Sequence, residues 1–452
     1  MTSASERQDP PLSVFGESRI QVGKQVESFD EVASNAYDPV HNPNGIINLG
    51  VAENTLLYKE LADYFGRNLR LSFNNFTYGY CKGDPRLRGA IADLMNTRFE
   101  PHQLVTPDHL VLGAGLVPVL ANLAGTIANS GDGLLIASPY YYGFDYELPL
   151  LTGVVPVGVQ VPLNDMFTLP ELSYFEKAIQ ENKEKGTIIK GVILCNPHNP
   201  YGRAYPKEVV VEYCTFCEKH NLHLISDEIY ALSIFPSRDI PNPPPFVSVL
   251  SLDLEAIGVR PSRVHVLYGM SKDFNCNGFR VGALVTQHNQ AVLRSMAVAA
   301  LFMLVSSPAS TLWATLLTDE EFLPHFIDMN RLSLQEAYEH VTAWLNFHKI
   351  PYISASAGHF LVADMRSVLS DVDKYGRVFS ITAEQGIHER EATLFKFLIE
   401  RGVVLNQGSM CHLEAGWFRI TFSVRRDFMD HALARIEDAL GWEKSPNLLR
   451  ED

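Results

Sequence analysis

The chain is predicted to be an α/β protein, with a large domain on a mostly parallel sheet and a smaller α/β domain towards the C-terminal end. Three observations predict this. Short apolar runs alternate with helical stretches from about residue 60 to 320, the pattern of strand–helix–strand crossovers. Several of these runs end abruptly in polar or turn-forming residues, and open sheets of this kind gather ligands at the carboxyl ends of their strands. Beyond a long helical stretch from Glu320 to His348, strands and helices alternate again over Ile350 to Met365 and Thr393 to Trp442.

Residues 1–25 are polar and without periodicity, so they read as a flexible N-terminal arm that embraces a partner subunit. Residues 26–60 are expected to pack with the small domain, 61–325 to form the large domain and 326–445 the small one. A chain of 452 residues, 46% hydrophobic, builds a large core and ordinarily divides in two. The net charge of −15 argues against a nucleic-acid partner. No apolar run approaches the ~20 residues a bilayer span requires; Met296 to Val305 reads as a buried helix. The six cysteines give no disulfide framework, and the pair Cys214 and Cys217 stands alone inside a helical stretch from Lys207 to His220, so no metal site is expected. A reducing, cytoplasmic location follows.

Four segments carry chemistry. Gly133 to Ala137 reads as a strand and runs into Ser138-Pro139-Tyr140-Tyr141-Tyr142-Gly143-Phe144-Asp145. An aromatic placed there, Tyr141 above all, can lie flat on a planar ring. Val192 to Cys195 enters a turn with two Asn-Pro pairs, and Asn199 offers an amide there. Leu222 to Ser226 ends at Asp227-Glu228-Ile229-Tyr230; a carboxylate at 227 can keep a pyridine nitrogen protonated, Tyr230 can reach the same ring, and Glu228 reads as structural or as a cap. Val264 to Leu267 leads into Gly269-Met270-Ser271-Lys272, with Arg280 eight residues on. Burial and a nearby cation both depress a lysine's pKa, which frees its amine to act as nucleophile and base.

Together these segments closely resemble the fold-type I enzymes dependent on pyridoxal phosphate (PLP), in the class I/II aminotransferase family. Within it, the match is closest to the 1-aminocyclopropane-1-carboxylate (ACC) synthases and their fungal relatives. The resemblance runs from about Asn42 to Trp442. It rests on Ile47-Asn48-Leu49-Gly50-Val51-Ala52-Glu53-Asn54, Pro139-Tyr140-Tyr141, Asn199-Pro200-Tyr201-Gly202, Ser226-Asp227-Glu228-Ile229-Tyr230, Ser271-Lys272-Asp273, Gly278-Phe279-Arg280-Val281-Gly282 and Gly416-Trp417-Phe418-Arg419. It implies a seven-stranded large domain, a homodimer with shared active sites and a small amino-acid substrate. It implies that Lys272 anchors PLP, that Arg280 and Ser271 hold its phosphate, and that Asp227, Asn199, Tyr230 and Tyr141 surround its ring. Arg419 is implied to clamp the substrate carboxylate with two parallel hydrogen bonds. Because Arg419 would come from the small domain, substrate is expected to close the cleft. Glu53 matches a residue near the substrate's amino or sulfonium end. His359 reads as a packed histidine or as one that tunes specificity.

Three departures from the family pattern stand out. Gly269 replaces a phosphate-binding Ser. The segment Leu112-Gly113-Ala114-Gly115-Leu116-Val117 has no hydroxyl, which leaves the N–H groups of Leu116 and Val117 at a helix start to bind phosphate. Cys81 stands where ACC synthases carry the Tyr that reaches the partner's site, with Tyr78 or Tyr80 as its substitute. The expected activity is ACC synthase-like: Cα deprotonation, then α,γ-elimination of S-adenosylmethionine or related chemistry at a sulfur-bearing amino acid. The alternatives are a carbon–sulfur β-lyase of secondary metabolism, an aminotransferase, and a non-catalytic PLP-fold binding protein.

Overall fold

The computed structural model describes residues 10–448. The strands, in chain order, are β1 (Ile47–Asn48), β2 (Leu110–Gly113), β3 (Gly133–Ser138), β4 (Val155–Gln160), β5 (Ile189–Cys195), β6 (His223–Asp227), β7 (Val264–Gly269), β8 (Gly282–Val285), β9 (Tyr352–Ile353), β10 (Phe360–Asp364), β11 (Val403–Val404), β12 (Asn406–Gln407) and β13 (Trp417–Thr421). Seven of them form the large sheet in the order β2-β8-β7-β6-β5-β3-β4. Only β8 runs against its neighbours, pairing antiparallel with both β2 and β7. The expected α/β fold with a seven-stranded, mostly parallel sheet is therefore present.

Side chains alternate across this sheet, as a strand buried on both faces requires. Val192, Leu194, Leu224 and Val266 enter one core, while Ile193, Ile225 and Leu267 enter another on the opposite face. A second sheet, β12-β13-β10-β9, packs in a third core that also takes Ile47 and Leu49. The helix Phe322–Phe347 contributes Phe326 and Ile327 to the core of the large sheet and Leu334, Tyr338, Val341 and Trp344 to that of the small one.

Two expectations are corrected. The described part of the arm, from residue 14 on, is helical: Val14–Ser34 is one helix, opened by Ser13, whose hydroxyl accepts from the Gly16 N–H. The apolar residues within the arm, up to residue 25, are scattered, so periodicity there did not reveal it. Residues 1–9 lie outside the described residues. Met296 to Val305 is not one buried helix. A helix ends at Ala299, a tight turn follows over Ala300–Phe302, and Val298, Leu301 and Phe302 are exposed.

Candidate active site

Lys272, Asp227, Asn199 and Tyr141 lie at or just past the carboxyl ends of strands of the large sheet, and Arg419 lies on the neighbouring small sheet. β7 delivers Lys272. Its Nζ donates to the Ala52 carbonyl at 2.5 Å, and its pKa is lowered to about 8 by burial first and by the positive charge of Arg419 next. Glu53, Arg280 and Asp227 also act on that amine, Glu53 and Asp227 favouring its charge and Arg280 opposing it. Residues from four separate parts of the chain thus converge on one nitrogen.

Asp227 ends β6. It caps no helix; its Oδ1 accepts from the Ile229 N–H at 3.3 Å. Burial raises its pKa to about 7, against the pull of that N–H and of Lys272. Glu228 points elsewhere and is structural: it accepts from Ser226 and Ser248 hydroxyls at 2.9 and 2.7 Å and from the Val249 N–H at 3.0 Å. Tyr230 is buried, with its ring edge-on to His359 and to Phe360. His359 is fully buried, and burial first and the charge of Lys272 next hold it neutral.

Arg419, on β13, is buried. Its Nη1 donates to Asn199 Oδ1 at 3.0 Å and its Nη2 to the Gly50 carbonyl at 2.5 Å. Its Nε has no partner. A buried guanidinium held only by neutral acceptors lacks a counter-anion, which an incoming carboxylate would supply. Asn199 follows β5 in a turn whose Asn196–Pro197 and Asn199–Pro200 bonds are both cis. Its amide oxygen is engaged by Arg419, so its nitrogen is left to donate outward.

The glycines around Arg280 define a cradle. Gly115 caps the helix Leu116–Ile127 at φ 93° and ψ 170°, a backbone region that side-chain-bearing residues avoid. A Cβ there would lie 2.2 Å from Arg280 Nη2. A Cβ on Gly282 would lie 2.8 Å from the Leu116 nitrogen. A guanidinium and the free N–H groups of a helix start therefore share one small space that glycine keeps open, which suits a phosphate. The departure at Gly269 has a steric cause: a Cβ there would approach the Val281 carbonyl to 2.7 Å. Ser271, beside Lys272, is buried. These features fit PLP: an amine to anchor it, a cradle for its phosphate, a carboxyl and an aromatic for its ring.

Tyr141 is half-buried after β3, and its hydroxyl donates to Glu147 Oε1 at 3.1 Å. Motif reading did not single out Glu147 or the Ala52 carbonyl; their roles depend on contacts that only the fold creates. Tyr78 and Tyr80 are not brought to this site. They project from the chain, Tyr78 99% exposed, on a segment that also carries exposed Phe73 and Phe76. Cys214 and Cys217 are buried free thiols, and the described residues hold no cluster suited to a metal ion. No described helix is long and apolar enough to cross a membrane.

The family model described as aminotransferase class I and II matches residues 44–436. The chain is 35% identical over 415 residues to "Probable aminotransferase tcpI" of Claviceps purpurea, covering 89% of this chain and 90% of that one. It is 33% identical over 446 residues to "1-aminocyclopropane-1-carboxylate synthase 5" of Oryza sativa, covering 94% and 80%. Aspartate aminotransferase from Thermus thermophilus, solved with maleate, superposes with a TM-score of 0.71 at 20% identity, over 95% of this chain and all of that one; that likeness shows the fold. The chain belongs to the class I and II aminotransferase family and is a PLP-dependent enzyme.

Proposed function

We propose that this member of the class I and II aminotransferase family takes a sulfur-bearing α-amino acid, removes its Cα proton through Lys272 and breaks a carbon–sulfur bond, as a lyase of the ACC synthase-like kind. The observation that carries the reading is the convergence of Arg419, Glu53, Arg280 and Asp227 on the half-buried Lys272 amine.

In this reading Arg280, the N–H groups of Leu116 and Val117, and Ser271 hold the phosphate of PLP. Asp227 would face the ring nitrogen, Asn199 and Tyr230 would hold the phenolic oxygen, and Tyr141 would stack on the ring. Bound PLP supplies an electron sink for the pair left at Cα when its proton departs. Arg419 turns from Gly50 and Asn199 to the substrate carboxylate and fixes the Cα–H bond towards Lys272. The amine of Lys272, with its pKa lowered to about 8, holds a useful fraction of free base near neutrality and takes the proton at Nζ. Glu53 is exposed beside that amine, where a carboxylate would favour a cationic substrate end such as a sulfonium. With S-adenosylmethionine, Cα then bonds to Cγ as the Cγ–S bond breaks and methylthioadenosine leaves. With a cysteine conjugate, the Cβ–S bond breaks and a thiolate leaves.

The second reading is amino-group transfer, favoured by four fungal relatives, each named a "probable aminotransferase". The proposal includes a homodimer in which Tyr78 or Tyr80 reaches the partner's site. The exposure of Phe73, Phe76 and Phe302, at 80%, 77% and 87%, supports a covered face in solution. Mass spectrometry of products, after the PLP-loaded protein meets S-adenosylmethionine, a cysteine thioether, or an amino acid with a keto acid, separates these reactions. Only keto-acid-dependent turnover would sink the lyase reading.

A further inference from the structure

Tyr141 is not free to lie at any angle. The chain turns back at Gly143, which caps the helix Phe144–Thr152. A Cβ on Gly143 would lie 2.3 Å from Tyr141 Cε1 and 2.4 Å from its Cζ. Only a glycine lets the tyrosine ring fold down over this turn. The ring's hydroxyl then meets Glu147, one turn along the helix, at 3.1 Å. Phe144 closes the other side, edge-on to Tyr141 at 5.4 Å between ring centres.

Glu147 is an unusual place for a carboxyl. An acidic residue in the first turn of a helix ordinarily faces the helix start, where the exposed N–H groups favour it. This one is 9% exposed, and its Oε2 has no hydrogen-bond partner. Burial raises its pKa to about 7, the Tyr141 hydroxyl opposes the rise, and the charges of Asp227 and Arg280 also reach it. It therefore lies behind the aromatic, within the field of both groups that would grip the two ends of the cofactor. A buried carboxyl with one oxygen unpaired costs stability.

We propose that Glu147 is a positioning residue for the PLP site: by holding the Tyr141 hydroxyl it fixes the plane in which that ring covers the cofactor. The inference rests on the reading of this cavity as the PLP site, and it assigns Glu147 no contact with substrate. The tyrosine acts on the cofactor; the glutamate and Gly143 set the tyrosine.

The test uses the full-length protein and PLP itself. PLP affinity is measured by fluorescence quenching of the cofactor-free protein, and the long-wavelength absorption and circular dichroism of bound PLP are recorded. The visible dichroism reports the asymmetry of the ring's surroundings, and a remote packing defect would leave it unchanged. Glu147→Ala is expected to weaken PLP binding about three- to tenfold, the loss typical of one hydrogen bond, and to alter the dichroism. Tyr141→Phe is expected to do the same, and the double variant to do no more, because both remove one interaction. Glu147→Gln keeps an acceptor for the hydroxyl and is expected to restore wild-type dichroism. Gly143→Ala, which leaves the hydrogen-bonding groups intact, is expected to shift it. Wild-type dichroism in Glu147→Ala, additive losses in the double variant, or failure of Glu147→Gln to rescue would each overturn the proposal. Failure of the underlying site reading would look different: the unaltered protein would develop no long-wavelength band with PLP. Should Glu147→Ala not fold, the comparison of Tyr141→Phe with Glu147→Gln decides alone.

Discussion

Replacing Gly115 with alanine tests the phosphate cradle without touching a charged group. Two costs follow from the geometry, and they separate experimentally. The first is conformational. Gly115 sits at φ 93° and ψ 170°, a region essentially reserved for glycine, where any other residue pays about 1–3 kcal/mol. That cost falls on the cofactor-free protein and lowers its melting temperature. The second is steric and electrostatic. The new Cβ would lie 2.2 Å from Arg280 Nη2 and 2.7 Å from Cζ, so the guanidinium must leave its place. Arg280 is itself in a left-handed conformation at φ 54°, with Nη1 donating to the Asn277 carbonyl at 2.8 Å, so it moves by side-chain rotation rather than by yielding backbone. A charge-assisted hydrogen bond contributes about 1.5–3 kcal/mol. Losing one to the phosphate should weaken PLP binding by about tenfold to a hundredfold, at ~1.4 kcal/mol per decade. Equilibrium dialysis against PLP measures the second cost and thermal unfolding of the cofactor-free protein the first. If Gly115→Ala binds PLP within twofold of the parent, the assignment of this cradle to the phosphate is wrong, whatever happens to the melting temperature.

Other consequences are equally direct. Lys272→Met should raise the stability of the cofactor-free protein at pH 7. The amine's pKa falls from 10.5 to about 8 on folding, so the protonated form is disfavoured in the folded state by up to about 3 kcal/mol. The sign follows: the unfolded chain binds the extra proton between the two values, so parent stability rises with pH from about 8 to 10.5, and the gain from Lys272→Met shrinks over the same window. Urea titrations at pH 7 and pH 10 check this, and an equal gain at both pH values would refute it. Arg419→Lys should weaken binding of α-amino acids by ~10-fold or more while leaving PLP affinity unchanged, because an ammonium cannot reproduce the planar paired grip; titration of the PLP absorption band with substrate reads both. Gly269→Ser should destabilise rather than improve cofactor binding, since its Cβ meets the Val281 carbonyl at 2.7 Å; a gain in PLP affinity would contradict the steric account of that glycine.

What the sequence made legible was what depends on local pattern. Apolar runs of four or five residues with sharp polar ends gave β3, β6 and β7 within two residues and β5 within three, because a strand buried on both faces has no polar face to blur it. The residues at those strand ends then fell where the sheet order brings β5, β6 and β7 side by side. Lys272, Asp227 and Asn199 were legible for that reason, and Arg280 by its motif eight residues beyond Lys272. The helix Val14–Ser34 was not, because the apolar residues up to residue 25 are scattered and the repeat of Val22, Val26, Phe29 and Ala33 runs across the boundary placed there. The segment from Met296 to Val305 failed in the opposite way. Its apolarity is divided: Met296, Ala300 and Met303 enter a core, while Val298, Leu301 and Phe302 are exposed, and composition alone cannot tell an exposed apolar residue from an interior one.

The groups that sequence could not reveal share one property: each works through a partner distant in the chain or through the backbone. Ala52 enters the site only by its carbonyl, which accepts from Lys272, and a carbonyl has no letter in a sequence. Gly50 enters in the same way, accepting from Arg419. These two carbonyls belong to the same stretch, which runs from β1, paired with β11, to the mouth of the large sheet. The stretch therefore occupies, by backbone alone, both cations that substrate and cofactor would claim. Arg419 and Lys272 are each held by a neutral acceptor that is weaker than a carboxylate or a covalent anchor. Both are thus poised to exchange it. On the proposed division into a large and a small domain, a segment that releases two cations when two ligands arrive would couple their arrival to closure, and crystal forms with and without an amino acid should differ in the interdomain angle at Gly50 to Ala52. An unchanged angle would leave these carbonyls as resting contacts only.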